Sequence, residues 1–432
     1  MKKTLVRSRQ LKADQGTMML TEREKLDTLT RLGIELNQVQ DMDILMERIL
    51  TEARRFVNAD AGSIYIREND SLLFSYTQND TLQKRLAEGE KLIYNTFTMP
   101  IDMTSIAGYV AVKGESLNLP DVYKIDPNAS YSHNKSFDEE TGYNTRSNLT
   151  VPLKTLRGDV LGVLQIINVQ DEGNRIVPFS DEDERMMLHF ASTATVALER
   201  ARMTRAIILR MIRMAEMRDP KETGAHVNRV GAYSVEIYEK WAINHRLPQN
   251  EIDKNRDILR TAAMLHDVGK VAISDLILKK PGGFDVDEFE IMKQHTILGA
   301  RLFGDVQSDF DEAACQVALN HHERWNGENG YPGHVDIATG APLEGFALPD
   351  GNPKPKQGEK IPLFGRIVGL ADVFDALSSK RVYKEAWEED KTLAIIEEEA
   401  GAKFDPELVE IFFSILEIIR SVQKRYVDEP DE

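Results

Sequence analysis

Two adjacent histidines, His321 and His322, lie in the segment NHHERWNGENGYPG at residues 320–333. Imidazole nitrogens are common ligands of divalent metal ions. Neighbouring residues of a helix point about 100° apart, so both rings reach one ion only where a helix ends and the chain turns. A solvated histidine pair on the surface is the alternative. The segment predicts half of a metal site, which other segments would have to complete.

Four other segments carry candidate ligands: Glu222 and His226 in ETGAH, His266-Asp267 at the end of an apolar helical stretch in LHDVGK, and, inside apolar helical patterns, His295 in KQHTIL and Asp372 in GLADVF. A lone polar residue of this kind is more often a satisfied core residue. Glu222 and His226 share a face if both lie on one helix, although they would also suit a surface pair. Asp267 is the candidate bridge, since a carboxylate can join two cations about 4 Å apart. Together, the segments predict a two-metal hydrolytic site.

In this order, and with Gly330-Tyr331-Pro332, the segments resemble the HD-GYP phosphodiesterases, a branch of the HD superfamily that hydrolyses cyclic di-GMP. The resemblance covers roughly residues 211–425 and includes the signature run HHExxxGxxGYP at 321–332. It implies one metal held by His226, His266, Asp267 and Asp372, and a second held by Asp267, His295, His321 and His322. Glu222 matches a position that adds a third metal in some members of the family.

The same resemblance implies which residues contact the substrate. Lys270 is expected near the scissile phosphate, and Tyr331 at the substrate. Arg381 and Lys384, in SSKRVYK, are expected to hold the phosphates of the ligand. The compact charge of Lys270 suits transition-state stabilisation or protonation of the leaving oxygen, while a surface lysine is the alternative. Asp267 and Lys270 are therefore the expected catalytic residues.

The donor set also predicts the cofactor. Mixed imidazole and carboxylate ligands favour iron, with manganese as the second choice, over metals that prefer thiolates. Two or three divalent ions are expected. Such ions activate water at neutral pH and neutralise charge on phosphoryl oxygens, which predicts in-line hydrolysis of a phosphodiester.

The chain departs from the family pattern in two places. Asn326 stands where an aspartate is common, which changes the charge beside the signature. The connection at residues 334–360 is rich in glycine and proline and is too long for an ordinary link between helices. It predicts either a lid over the site or a disordered excursion.

The N-terminal half has the pattern of a different domain. Residues 43–57 predict an amphipathic helix, and AGSIYIREN, SLLFSYTQ, LTVPLKT and VLGVLQIINVQ predict strands. This order resembles a GAF domain over roughly residues 22–199. Asn168, Phe179 and Asp183-Glu184 partly match the NKFDE signature of cyclic-nucleotide GAF domains, but Val169 replaces its lysine and removes a salt bridge. The ligand of this domain stays open, and a GAF domain that only dimerises is the alternative.

Residues 181–218 predict one long helix, because they contain neither proline nor glycine. Alternating four- and three-residue steps predict a coiled-coil seam and hence a homodimer through this helix. The alternative is a helix packed on its own domain. The seam residues are Phe190, Ala194, Ala197, Ala201, Thr204, Ile208, Met211 and Ala215.

Composition limits the function classes. The formal net charge of −17 argues against binding a nucleic-acid polymer. Cys315 is the one cysteine of the 432 residues, so a disulfide framework is excluded and the reducing cytoplasm is the expected compartment. No apolar run approaches the length of a membrane span, so membrane insertion is not expected.

The predicted architecture is a multi-domain α+β protein with five segments. These are an N-terminal tail (1–21), a GAF sensory domain with an antiparallel sheet flanked by helices (22–199), a signalling helix (181–218), an all-α HD-GYP catalytic domain (219–425) and an acidic tail (426–432). The predicted function is metal-dependent hydrolysis of cyclic di-GMP to pGpG, GMP or both. The alternatives are a phosphodiesterase for another cyclic or linear dinucleotide, and a catalytically weak signalling protein that binds nucleotide.

Overall fold

The computed structural model describes residues 22–86, 92, 97–216, 224–379 and 387–426. They form two compact units. The first contains residues 22–37, 47–86 and 97–196, and the second contains residues 38–46, 92 and the described residues from 197 onward.

The first unit is built on a six-stranded antiparallel sheet with the order β3-β2-β1-β6-β5-β4. Its strands are β1 (Ala59–Glu68), β2 (Ser71–Asn79), β3 (Thr98–Pro100), β4 (Leu117–Leu119), β5 (Asn148–Lys154) and β6 (Val160–Val169). Asn69 takes a positive φ of 53° between β1 and β2, as a two-residue hairpin loop requires. Ile64 of the central strand β1 pairs with Leu164 of β6, and both are fully buried.

Helices precede the first strand of this sheet, connect some of its strands and follow its last strand. They are α1 (Glu22–Leu36), α2 (Met42–Phe56), α3 (Asp80–Gln83), α4 (Ile106–Lys113), α5 (Ser136–Thr141) and α6 (Asp181–Glu216). α4 begins where the Ser105 hydroxyl accepts a hydrogen bond from Gly108 N, and it ends at Gly114, whose φ of 64° suits glycine. The four acidic residues at the start of α6 favour a helix N-terminus.

In the described part of the second unit, all the regular elements are helical. They are α7 (Gly224–Asn244), α8 (Gln249–Met264), α9 (Asp275–Leu278), α10 (Val286–Lys293), α11 (His295–Leu302), α12 (Asp309–Asn320), α13 (Leu363–Ser378), α14 (Glu389–Glu398), α15 (Pro406–Ser414) and α16 (Leu416–Arg425). In their core, the ring of Phe374 lies 5.4 Å from that of Tyr233 and 4.9 Å from that of Phe412. Short 3-10 turns occur at Val268–Ala272 and Gly358–Lys360.

The predicted fold class is confirmed: an antiparallel sheet with helices is followed by an all-helical unit. The long helix is also present, as the 36 residues of α6. No helix among the described residues has the length and apolar character to cross a membrane.

The first half of the predicted coiled-coil seam is wrong. Phe190, Ala194, Ala197 and Ala201 are buried within the chain itself, so they cannot also face a partner helix. Further along α6, Met211 is exposed. The alternating spacing correctly indicated that this helix face is buried. It could not identify the covering surface, because packing on the chain itself and packing in a dimer produce the same periodicity.

Candidate metal centre

The predicted ligands come together at the ends and inner faces of five helices. His226 lies in α7 and Asp372 in α13, whereas His266 and Asp267 follow the end of α8. His295 begins α11, and His321 and His322 follow the last residue of α12. The end of α12 allows the two adjacent histidines to converge, and their ring centroids are 4.0 Å apart.

The donor atoms form two neighbouring groups. Within each, one donor atom from every residue lies within 4.8 Å of the others. One group is Asp267, His295, His321 and His322, and the other is His226, His266 and Asp372. His266 Nε2 joins the groups, since it lies 3.3 Å from Asp267 Oδ2 and 3.8 Å from Asp372 Oδ1.

Two glycines allow the ligand-bearing elements to approach this closely. A Cβ atom on Gly269 would lie 1.9 Å from His295 O, and one on Gly369 would lie 2.5 Å from His321 O. Both distances are far below van der Waals contact. The glycine in HDVGK therefore lets the turn after Asp267 pack on the start of α11.

Hydrogen bonds orient the histidines with Nε2 towards the cluster. Nδ1 lies 2.9 Å from Ala263 O in His266, 2.7 Å from Met292 O in His295 and 3.1 Å from Val317 O in His321. A carbonyl oxygen can only accept a hydrogen bond, so Nδ1 carries the proton in each ring. Nε2 then carries the lone pair, and this is the tautomer that binds a metal through Nε2.

The carboxylate of Asp267 lies between the two groups. Oδ1 is 3.1 Å from His295 Nε2 and 3.5 Å from His321 Nε2, while Oδ2 is 2.7 Å from Lys270 Nζ. Burial raises the pKa of Asp267, but the charge of Lys270 and the side-chain contacts with His266 and His295 outweigh it and hold the pKa well below the usual value. An ionised carboxylate in this position has the geometry of a bridging ligand.

The site suits divalent metal ions because some of its potential ligand atoms are buried without a hydrogen bond. Asp267 Oδ1, His295 Nε2 and His321 Nε2 are buried and make no hydrogen bond of ordinary geometry with any described residue. Burial lowers the pKa of His321, and burial with neighbouring imidazoles lowers that of His322 further, so both rings are neutral at pH 7. Buried lone pairs on neutral imidazoles and an ionised carboxylate are suitable ligands for a cation.

Asp375 supports the site and was missed from the sequence. Its Oδ2 lies 2.8 Å from His226 Nδ1, and its Oδ1 accepts a 2.6 Å hydrogen bond from Arg229 Nε. Burial raises the pKa of Asp375, but the hydrogen bonds from His226 and Arg229 bring it to about 2. Its place three residues after Asp372, on the same helix face, was the available signal.

The segment Gly330-Tyr331-Pro332, here called the signature turn, packs on the metal centre. The Tyr331 ring lies 4.9 Å from that of His322, and Tyr331 N donates to His322 O at 3.3 Å. Burial raises the pKa of the Tyr331 hydroxyl. Glu323, also absent from the predicted site, fixes this turn by accepting 2.6 Å and 3.1 Å hydrogen bonds from Gly333 N and Lys356 N.

Three predicted residues lie outside the described part of the chain. These are Glu222, Arg381 and Lys384. Asn326 is described, and its side-chain oxygen accepts a 2.9 Å hydrogen bond from Glu328 N. An aspartate would make the same turn, so the departure from the family pattern preserves the local backbone contact.

Residues 334–360 form a folded loop and not a disordered excursion. Bridges join Val335 to Pro342 and Ala347 to Pro353. The ring of His334 stacks on that of Phe346 at 4.0 Å. These contacts tie the loop to itself, and the bond from Lys356 N to Glu323 ties its end to the signature turn.

The motif residues of the first unit also have defined contacts. Glu184 accepts hydrogen bonds from the Ser116 hydroxyl at 2.6 Å and the Asn118 amide at 3.4 Å, and it makes no ion pair with a described residue. Both of these hydrogen bonds come from uncharged donor groups.

Family models match both units. A GAF domain model matches residues 41–198, and two HD domain models match residues 223–377 and 349–408. The chain combines a GAF domain with an HD domain. Both domain resemblances seen in the sequence are therefore confirmed.

Curated relatives match parts of this chain. A cyclic di-GMP phosphodiesterase of Vibrio cholerae is 34% identical over 66% of this chain and 50% of its own length. One of Thermotoga maritima is 35% identical over 50% of each chain. A 3'3'-cGAMP-specific phosphodiesterase 2 of Vibrio cholerae is 37% identical over 44% of this chain and 31% of its own length. The chain thus spans half or less of the length of these relatives.

Proposed function

We propose that the HD domain is a metal-dependent phosphodiesterase that hydrolyses cyclic di-GMP to pGpG, GMP or both, under the control of the GAF domain. The observation that carries the proposal is the pair of donor groups joined through Asp267. The names of the relatives from Vibrio cholerae and Thermotoga maritima support the substrate.

Iron is the proposed metal, with manganese as the second choice, because the donors are imidazoles and carboxylates without thiolate. Bound divalent ions would supply an activated water and neutralise charge on the phosphoryl oxygens. His226, His266, Asp267 and Asp372 would hold one ion, and Asp267, His295, His321 and His322 the second. Glu222 is proposed as a ligand of a third.

The chain's own residues would orient the diester and move a proton. Hydrolysis forms a bond from the water oxygen to phosphorus and breaks the bond to the ribose oxygen, which must take up a proton. Lys270 Nζ, 2.7 Å from Asp267 Oδ2, is the proposed donor of that proton or the cation that stabilises the departing charge. Tyr331, Arg381 and Lys384 are proposed to contact the substrate.

Metal analysis of anaerobically purified protein, combined with turnover of cyclic di-GMP, tests the proposal. We expect two or three ions per chain and turnover that is lost in His266→Ala. The matched control is His245→Ala, because His245 is an exposed histidine outside both donor groups. Wild-type turnover in His266→Ala would refute the assignment, as would equal metal loss in the control.

A second substrate is favoured by one comparison. The 3'3'-cGAMP-specific relative matches at 37% identity, within the range of the cyclic di-GMP phosphodiesterases. The alternative proposal is therefore hydrolysis of that mixed cyclic dinucleotide. Parallel kcat/KM measurements on the two compounds distinguish the alternatives.

We also propose a homodimer through α6, on a face other than the predicted seam. Val196, Met203, Ile207 and Met214 are exposed at steps of seven, four and seven residues, as in a coiled coil. Light scattering should find a dimer that dissociates in Met203→Glu/Ile207→Glu but not in Arg202→Glu, beside the stripe. A wild-type monomer would refute the dimer.

The single free thiol, Cys315, is compatible with the proposed cytoplasmic location.

A further inference from the structure

A cleft of about 550 Å³ lies beside the metal centre, a volume typical of small-molecule sites. Tyr331 belongs to both places, since it lines the cleft and its ring lies 4.9 Å from that of His322. Gln294, which also lines the cleft, directly precedes His295 in the chain. A ligand that spans the cleft and the metal centre therefore has only a short distance to bridge.

The folded loop at 334–360 supplies one wall of this cleft. Leu348, Asn352 and Pro353 face the cavity from the loop, opposite residues of α10 and α11. Arg301 of α11 holds the loop, because its Nε donates a 2.6 Å hydrogen bond to Ile337 O. The long connection is thus part of a cavity wall.

The lining suits a flat, uncharged heteroaromatic group. Tyr331, Pro332 and Pro353 offer flat apolar surfaces, and Gln294 and Asn352 offer amide donors and acceptors. The charges of the lining balance, since Glu290 and Asp350 match Lys293 and Arg301, and Lys293 Nζ lies 2.6 Å from Glu290 Oε1. Aromatic stacking with amide contacts to the edge is how proteins recognise nucleobases.

We propose that this cleft binds one nucleobase of a dinucleotide whose phosphodiester lies at the metal centre. The inference rests on the proposed function, which supplies the dinucleotide. It adds a specificity-determining site made by the loop, with Leu348, Asn352 and Gln294 as its contacts to the base. The loop would therefore make the site bind dinucleotides in preference to mononucleotides and small diesters.

Inhibition of bis(p-nitrophenyl) phosphate hydrolysis by pGpG and by GMP tests the cleft in the full-length protein. We expect the Ki of pGpG to be at least tenfold below that of GMP. Leu348→Glu should raise the Ki of pGpG at least fivefold, because it places a carboxylate against the base. The Ki of GMP should stay within twofold of wild type.

Leu343→Glu is the matched control, since Leu343 is an exposed leucine of the same loop that does not line the cleft. It should leave both Ki values unchanged. Equal Ki values for pGpG in wild type and Leu348→Glu would overturn the inference, and so would equal inhibition by pGpG and GMP. Calorimetric titration with pGpG gives the same comparison without turnover.

The two proposals fail differently. Hydrolysis of the small diester without hydrolysis of cyclic di-GMP would refute the proposed substrate, yet the Ki comparison would still report on the cleft. Conversely, turnover of cyclic di-GMP that is unaffected by Leu348→Glu would refute the cleft alone.

Discussion

Asp375 Oδ2 lies 2.8 Å from Nδ1 of His226, and both side chains are buried. This carboxylate fixes the proton on Nδ1 and directs Nε2 of the histidine towards Asp372, 3.6 Å from its Oδ1. Arg229 contributes two further hydrogen bonds to Asp375, at 2.6 Å and 2.9 Å. His226 is thus held in its ligand orientation by two residues that are outside the donor groups.

Asp375→Asn should weaken metal binding at the group of His226, His266 and Asp372. The amide keeps the shape but loses the charge that makes the imidazole a stronger ligand, and such supporting contacts are worth about 10- to 100-fold in affinity. Metal retained per chain during chelator titration measures the effect. Unchanged retention would show that Asp375 serves Arg229 and the fold alone.

Removing metal should lower the melting temperature of the HD domain. An ion that binds only the folded state stabilises it by about 2.7 kcal/mol at a concentration 100-fold above its Kd. Calorimetry before and after chelation, and again after adding Mn²⁺, measures the shift. Asp267→Ala should show little response, because its donor set is incomplete. A wild-type melting temperature that ignores metal would contradict the assignment.

Gly269→Ala should destabilise the protein and reduce turnover. The added Cβ would lie 1.9 Å from His295 O, so α11 and its ligand must move, and overpacking of this kind costs about 1–3 kcal/mol. Gly283→Ala is the matched control, because a Cβ there meets no atom within 4 Å. Chemical denaturation and turnover should separate the two variants, and equal behaviour would contradict the close approach.

Cys315 should react slowly with iodoacetamide at neutral pH. Burial raises the pKa of this thiol, which Lys356 lowers only in part, so the reactive thiolate forms above the usual pH range. The rate should therefore keep rising above pH 9, as measured by mass spectrometry. A rate at pH 7 equal to that of free cysteine would refute this environment.

The same thiol reports on the loop. Cys315 packs against a buried cluster that includes Val335, near the start of residues 334–360. Val335→Ala should loosen this contact and speed alkylation, whereas Leu343→Ala, at an exposed leucine, should not. Equal rates in the two variants would show that the loop does not cover Cys315.

Asn326→Asp should leave stability and turnover nearly unchanged. The carboxylate can accept the same hydrogen bond from Glu328 N, and the site of the change is near the surface, where substitutions usually stay within about 0.5 kcal/mol. Thermal unfolding and kcat/KM measure the effect. A large gain in turnover would show that the family's aspartate has a chemical role that Asn326 lacks.

The metal-centre residues could be predicted from the sequence because the patterns that identify them are local. His321 and His322 are adjacent, His266 and Asp267 are adjacent, and each segment has the residue types that bind cations. The sheet and the long α6 were accessible for the same reason, since alternation and an uninterrupted helical composition are local properties.

Long-range packing decided the rest. The partnership of Asp375 with His226 joins two helices 149 residues apart, and no local pattern encodes which buried carboxylate will meet which imidazole. The spacing of Phe190, Ala194 and Ala197 could not name the surface that covers them. Likewise, the glycines and prolines of residues 334–360 predicted an irregular loop, but only contacts such as Lys356 with Glu323 determined that it folds into a cleft wall.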